Sequence, residues 1–328
     1  MTPFLIALIV LALVFTFLNG IHDSSNIVAT IIFSRAMAPR VALLLTAVAE
    51  FVGPFLFGVA VAQTIGEDFV SSQAISLLVL VAALVSAIVW NLVTWYFGLP
   101  SSSSHALIGG LLGAVAAGAG LAAIQVSGLV TILLALFLSP IIGLMAGFLL
   151  TRLVFHLARN ATLRINTFFK SAQVVTGMVL ALSHGANDAQ KTMGVITLGL
   201  VITGVVGSFQ VPLWVIAISA GAIALGAGVG GYRLIRTMGG KFYRIRPVDG
   251  FSTQLASGAV ILGAALLGGP VSTTQVVSST ILGAGSAERI NKVRWNVAGQ
   301  IVLAWLLTIP VTALLAAGAY WLGQAVGL

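Results

Sequence analysis

Cysteine is absent from all 328 residues, and Asp, Glu, Lys and Arg together make up only 7% of them. The first absence excludes disulfides, thiolate metal ligands and thiol redox chemistry. The second excludes an ordinary soluble domain, which carries roughly 25% charged residues. Acid is the scarcer sign, with 7 Asp and Glu against 15 Lys and Arg. What fills the chain instead is apolar: 59% of residues are hydrophobic and the mean hydropathy is +1.14. This composition predicts an all-α integral membrane protein.

A pI of about 10.6 would suit nucleic acid, but the basic residues fall into short clusters between apolar stretches. Arg35 and Arg40 form one; Arg152, Arg159, Arg164 and Lys170 a second; Arg233, Arg236, Lys241, Arg244 and Arg246 a third; Arg289, Lys292 and Arg294 the last. Such clusters mark cytoplasmic loops drawn to anionic lipid. No folded domain remains to bind nucleic acid, so the expected partner is the lipid bilayer. The opening Met1 to Val10 has no basic n-region and no small-residue cleavage site, and reads as a span, not a signal peptide.

Apolar runs lie at about 2–34, 41–62, 73–98, 104–124 and 126–151, then at 167–206, 211–232, 250–269, 274–286 and 295–327. They predict about ten membrane segments, or twelve if broken helices count as pieces. A span needs roughly 20 residues, so runs 2–34 and 167–206 overshoot the hydrocarbon core and are expected to break, bend or tilt steeply. Run 274–286 is short for a span, and hairpin arms can be full crossings or re-entrant. With every basic cluster inside, the acidic loop at Glu67 and Asp68 falls outside, as do both termini. The halves then run upside down: a first repeat over 1–158, a cytoplasmic linker over 159–170 and a second repeat over 171–328, forming one transport unit.

Two polar interruptions occur twice. Asn19-Gly20-Ile21-His22-Asp23-Ser24-Ser25-Asn26 returns as His184-Gly185-Ala186-Asn187-Asp188-Ala189-Gln190-Lys191, and Gly98-Leu99-Pro100-Ser101-Ser102-Ser103-Ser104 returns as Gly268-Gly269-Pro270-Val271-Ser272-Thr273-Thr274. Inverted repeats with polar breaks in their helices and polar-tipped hairpins are the pattern of a secondary transporter with alternating access. A carboxylate at membrane depth costs at least about 2.5 kcal/mol and is retained where it binds an ion, carries a proton or pairs with a cation. Asp23 and Asp188 are therefore candidates for both substrate and coupling ion, against a purely structural bond between repeats. Asn26 and Asn187 can donate to an anion or accept toward a cation. Glu50 and Asn91 are further coupling-ion candidates, although an interhelical hydrogen bond serves Asn91 equally well. Lys191, three residues after Asp188, is its charge partner or a direct anion contact. His22 and His184 read equally as satisfied core histidines or proton carriers.

Ser102, Ser103 and Ser104 with Ser272, Thr273 and Thr274 place six hydroxyls after prolines, at the starts of half-helices whose free N–H groups attract an oxyanion. Two carboxylates beside an anion repel it unless they hold Na⁺ or H⁺, which makes coupling a consequence of charge balance. Phosphate near neutral pH keeps a proton to donate to an aspartate, whereas sulfate does not, so aspartates favour phosphate. On this reading Asp188→Asn should weaken discrimination against sulfate.

At these four motifs the chain resembles the inorganic phosphate transporter (Pit) family, whose repeated signature reads Gly-x-Asn-Asp-x-x-Asn and whose hairpins carry Pro-Val-Ser-Thr-Thr-His. The likeness runs through both halves. It implies a bacterial-type low-affinity phosphate permease of the cytoplasmic membrane, with Asp23, Asn26, Asn187, Asp188 and the hydroxyl triplets at the sites. The Asp-Ala-Gln-Lys wording at 188–191 is similar to bacterial members, some of which use protons and carry metal-phosphate. His22, Lys191 and Gln275 depart from the pattern. No resident cofactor or metal is implied, only co-transported Na⁺ or H⁺. A sulfate permease is the nearest alternative. An intramembrane hydrolase built from a serine of 101–104, His105 and Asp23, or an ion channel, is the alternative from another class. Small-residue patterns such as Gly109-Gly110 and Gly221 to Gly231 would let helices pack closely within a protomer or across a homodimer.

Overall fold

A computed structural model describes residues 2–68, 75–162 and 164–327; the segment 69–74, the distal part of the acidic loop, lies outside them. All regular elements among the described residues are helical. They are α1 (Pro3–Phe33), α2 (Pro39–Phe57), α3 (Ala60–Gln63), α4 (Leu77–Phe97), α5 (Ser103–Gly118), α6 (Val126–Leu157), α7 (Ile165–Ile202), α8 (Leu213–Val229), α9 (Tyr232–Arg236), α10 (Pro247–Leu266), α11 (Thr273–Glu288) and α12 (Trp295–Ala325). Helix α1 begins with Thr2, whose Oγ1 accepts from the Leu5 N–H at 3.3 Å, and with Pro3 at its first position.

The molecule is apolar outside and polar within. Leu44, Leu134, Leu149, Leu314 and Trp321 are exposed while Asp23, Glu50, Asp188 and Lys191 are buried. Water would penalise that distribution; hydrocarbon requires it. Helices α1, α2, α4, α6, α7 and α12 are each long and apolar enough to cross a bilayer, and α8 with the segment Tyr232–Lys241 makes a seventh, bent by 61°. The hairpin helices α5 and α11 have only 16 residues each. The chain is a multi-pass membrane protein.

The order of elements across 3–157 recurs across 165–325, including a short helix that widens into a π-turn (Thr64–Asp68, Thr237–Lys241) and a 3₁₀ turn (Leu121–Ala123, Ile290–Lys292). Packing is crosswise: α1 lies on α8 and α2 on α7, α5 on α12 and α11 on α6.

The expected breaks fall elsewhere. Helices α1 and α7 run without interruption through Asn19–Asn26 and His184–Lys191, because the polar side chains there bond to one another and, at Ser24 and Ser25, to carbonyls three residues back, leaving the helical ladder intact. At about 1.5 Å per residue, the 38 residues of α7 still outrun a bilayer core. The real breaks come one element later, at Gly58 (φ +79°) and Gly230 (φ +76°), a conformation that favours glycine.

Segments from all four basic clusters meet, although Arg233 of the third lies instead beside the first hairpin tip, donating to the Tyr96 carbonyl. Arg246 bonds Glu288 at 2.6 Å and stacks over the Phe155 ring, and Lys292 reaches Asp249 at 3.2 Å. Ser34, beside Arg35, donates to Gln173, which in turn donates to the Pro247 carbonyl.

Candidate functional site

On α1, Asn19, Asp23 and Asn26 share one helical face; on α7, His184, Asp188 and Lys191 share the matching face, by the i, i+4, i+7 spacing. Each motif also holds a glycine where a neighbouring backbone comes close. A Cβ at Gly20 would lie 2.2 Å from the Ile223 carbonyl oxygen of α8, and one at Gly185 would lie 2.4 Å from the Glu50 carbonyl oxygen of α2. The second approach brings Glu50 Oε1 to 2.9 Å from His184 Nδ1.

The imidazole of His184 is the centre of the cluster. Its Nε2 lies 3.1 Å from Asp188 Oδ2 and 3.7 Å from Asp23 Oδ2. One ligand atom from each of Asp23, His184 and Asp188 falls within 4.8 Å of the others. Asp23 Oδ1 accepts from Asn26 at 2.7 Å and from Thr274 at 2.5 Å. Asp188 Oδ2 accepts from Thr273 at 3.0 Å and Asn19 at 3.5 Å, while its Oδ1 takes the Lys191 ammonium. Lys191 also donates to Ser104 Oγ at 2.6 Å, and Ser104 donates to the Val271 carbonyl at 3.0 Å. That last bond joins the two hairpin tips.

The remaining candidates divide. Ser102 and Ser272 cap their helices, accepting from the N–H groups of His105 (3.1 Å) and Gln275 (3.3 Å), which leaves the Ser272 hydroxyl hydrogen to donate while the Ser102 hydroxyl faces His105 Nδ1 at 2.7 Å. Ser103 is buried beside them. Asn187 donates to the Gly269 carbonyl at 3.2 Å behind the second tip, with its own Oδ1 unpartnered. Asn91 stands apart: neither of its buried amide atoms has a partner, and with His22 it lines a separate cavity of about 160 Å³. Gln254 bridges Thr30 (2.9 Å) and Thr176 (2.6 Å) as a structural bond. The triad of a hydrolase is not assembled. His105 Nδ1 reaches Ser102 Oγ at 2.7 Å, but its Nε2 is unpartnered, and Asp23 is held by Asn26 and Thr274.

Two roles escaped the sequence reading. His184 joins three carboxylates, a role signalled only by its i, i+4 spacing from Asp188. Gln190 accepts from the Val61 N–H at 2.8 Å and so caps α3 at the break after α2. Among the described buried groups, Asp23 Oδ2 and the Oδ1 atoms of Asn19, Asn26 and Asn187 are left without hydrogen-bond partners. Both Asp188 oxygens are taken. The acceptor open to a protonated anion is therefore Asp23, not Asp188.

Lipid-facing helices around a buried cluster of carboxylates, amides and hydroxyls, reached by two hairpin tips, define a polytopic membrane transporter. The chain belongs to the phosphate transporter family, whose model matches residues 19–316. It is 43% identical over 321 residues to a probable low-affinity inorganic phosphate transporter of Bacillus subtilis (strain 168), covering 97% of this chain and 96% of the relative. It is 42% identical to a protein of the same description from Rhizobium meliloti (strain 1021), covering 99% and 98%. Its fold is similar to the solved structure titled the sodium-dependent phosphate transporter, with a TM-score of 0.89 at 24% identity over 99% of this chain and 100% of the other. The relatives are named as transporters, and this chain is a transporter rather than an enzyme.

Proposed function

We propose that the chain imports inorganic phosphate across the bacterial cytoplasmic membrane by symport with a cation, through alternating access of two inverted repeats. The carrying observation is convergence: Ser104 from one tip and Thr273 and Thr274 from the other meet Asp23, Asp188 and Lys191 at one buried place. Hydroxyls and helix starts favour the anion, and the carboxylates oppose it. At about 5 Å and an effective dielectric near 20, two like charges repel by about 3 kcal/mol. A co-bound cation offsets that repulsion, so neither ion is held well alone. The open Asp23 oxygen accepts the proton that phosphate carries and sulfate lacks. The relatives' names favour phosphate over sulfate as well.

Unpartnered oxygens on Asp23, Asn19, Asn26 and Asn187 are hard donors suited to Na⁺, and the structural relative is described as sodium-dependent. A second reading, H⁺ coupling, is favoured by Glu50 Oε1 and Asp188 Oδ2 lying 2.9 and 3.1 Å from the two ring nitrogens of His184, within the distance that proton transfer needs. The recurring element order and crosswise packing support repeats over 1–158 and 171–328 around a linker at 159–170. The meeting of segments from all four basic clusters supports a cytoplasmic face there and termini outside.

Phosphate uptake into proteoliposomes under imposed Na⁺ or pH gradients, with sulfate as competitor, tests the reading. Gradient-driven accumulation with weak sulfate competition is expected. Accumulation that a Na⁺ gradient drives after the pH gradient is collapsed assigns Na⁺; the reverse dependence assigns H⁺. Uptake that only equilibrates, with no response to either gradient, removes symport.

A further inference from the structure

The two halves treat their aspartates differently. In the first, Asn26 stands three residues after Asp23, donates to it at 2.7 Å and donates to Thr274 of the opposite tip at 3.1 Å. In the second, Lys191 stands three residues after Asp188, donates to it and donates to Ser104 of the opposite tip at 2.6 Å. Thr274 and Ser104 are themselves the matching fourth residues after Pro270 and Pro100. An amide in one half is thus replaced by an ammonium in the other, with the same two kinds of partner.

The consequence for charge is large. Lys191 is the only buried Lys or Arg among the described residues. Around Asp23 the carboxylate oxygen Oδ2, which His184 Nε2 approaches no nearer than 3.7 Å, and the neighbouring Asn26 Oδ1 remain without hydrogen bonds. Around Asp188 neither carboxylate oxygen remains open: Lys191 holds Oδ1, and Thr273, Asn19 and His184 surround Oδ2, so the open oxygens on this side, Oδ1 of Asn19 and of Asn187, are neutral amide ones. An ammonium is comparable in size and charge to a desolvated monovalent cation, and it is tethered. Its remaining N–H is free for the anion, since an ammonium has three donors and two are used.

We propose that Lys191 permanently occupies one of two repeat-related cation positions, so that a single mobile cation, at Asp23 and Asn26, accompanies each phosphate. The proposal rests on the symport reading above and determines its stoichiometry. A side chain that never leaves contributes charge balance without carrying charge across the membrane.

The test uses the full chain in proteoliposomes, with tracer phosphate uptake and the cation that drives it. In the unaltered protein, uptake should rise with that cation with a Hill coefficient of about one, and reversal-potential measurements should give one cation per phosphate. Lys191→Asn restores the residue found in the first half. It should raise the Hill coefficient toward two and add one cation per phosphate, shown for Na⁺ by an added Na⁺ bound to purified protein. The converse substitution Asn26→Lys should make phosphate binding, measured on purified protein, independent of the cation. Cooperative dependence on two cations in the unaltered protein overturns the proposal, even if Lys191→Asn fails to fold. So does an active Lys191→Asn with unchanged stoichiometry, which would leave Lys191 as an ion-pair partner only. Absence of any cation dependence in the unaltered protein would instead remove the symport reading on which the proposal stands.

Discussion

Asp23 and Asp188 lie within one cluster, yet their substitutions should act by different routes. Asp23→Asn removes the open acceptor while Asn26 and Thr274 still have an oxygen to bond. An unmet or restored buried hydrogen bond is worth about 1–3 kcal/mol. Sulfate should therefore compete with phosphate roughly tenfold better in this variant than in the unaltered protein, read from inhibition of tracer uptake. Unchanged competition would dispose of the proton-donation account. Asp188→Asn instead strands the Lys191 ammonium, and breaking a buried ion pair from one side costs about 3–5 kcal/mol. That variant should show a clearly lowered melting temperature in detergent, which Lys191→Gln on the same background should largely restore. The residue types at these places were legible because ionisable groups in an apolar run are costly and so conspicuous. Which oxygen stays open was not, since it depends on Thr273, Asn19 and Lys191 arriving from three directions.

At the scale of elements, the helices meet by backbone approach. Gly185→Ala would place a methyl 2.4 Å from the Glu50 carbonyl, and α2 must move to admit it. Overpacking of this kind costs about 1–3 kcal/mol, and the shift should also draw Glu50 from His184. Reduced uptake in Gly185→Ala, measured per folded transporter, with Gly299→Ala as a control where a Cβ meets open space, checks it. A second prediction concerns the ends of α10 and α11. Burial pushes Glu288 up, but the hydrogen bond and charge of Lys292, with Arg246 and Arg289, outweigh it and hold the carboxyl below its usual 4.5. A depressed carboxyl lends its support above the ordinary value and withdraws it as pH falls through its own. Trypsin cleavage near Arg289 should therefore stay slow above about pH 4.5, and the hydrogen-exchange protection of the same segment, taken relative to the intrinsic rate at each pH, should fall below it. Glu288→Gln should remove that dependence. The element starts and hairpin tips were legible from prolines and hydroxyls. The breaks were misplaced because polarity was read as interruption, whereas side-chain pairing kept α1 and α7 whole and positive φ opened Gly58 and Gly230 instead.

At the scale of the whole molecule, each half completes itself with elements of the other, α5 against α12 and α11 against α6. Neither half has a finished interior alone, so the halves expressed separately should be unstable and should regain uptake only when co-expressed. With no native cysteine, single-cysteine labelling needs no altered background. Cysteines at 36–38 and at 205–208 should label from opposite sides of intact cells, and equal labelling from outside would overturn the orientation. Composition and charge clusters made the membrane class and its basic face legible; crosswise packing leaves no trace in any single run of residues. Because Ser104 already donates to the Val271 carbonyl, an anion that takes the Ser104 hydroxyl must first part the tips, and at about 1 kcal/mol that toll weakens capture roughly fivefold. The same toll returns on exit, hastening departure. A carrier made this way suits brisk traffic where its cargo is abundant, and leaves the gleaning of traces to other machinery.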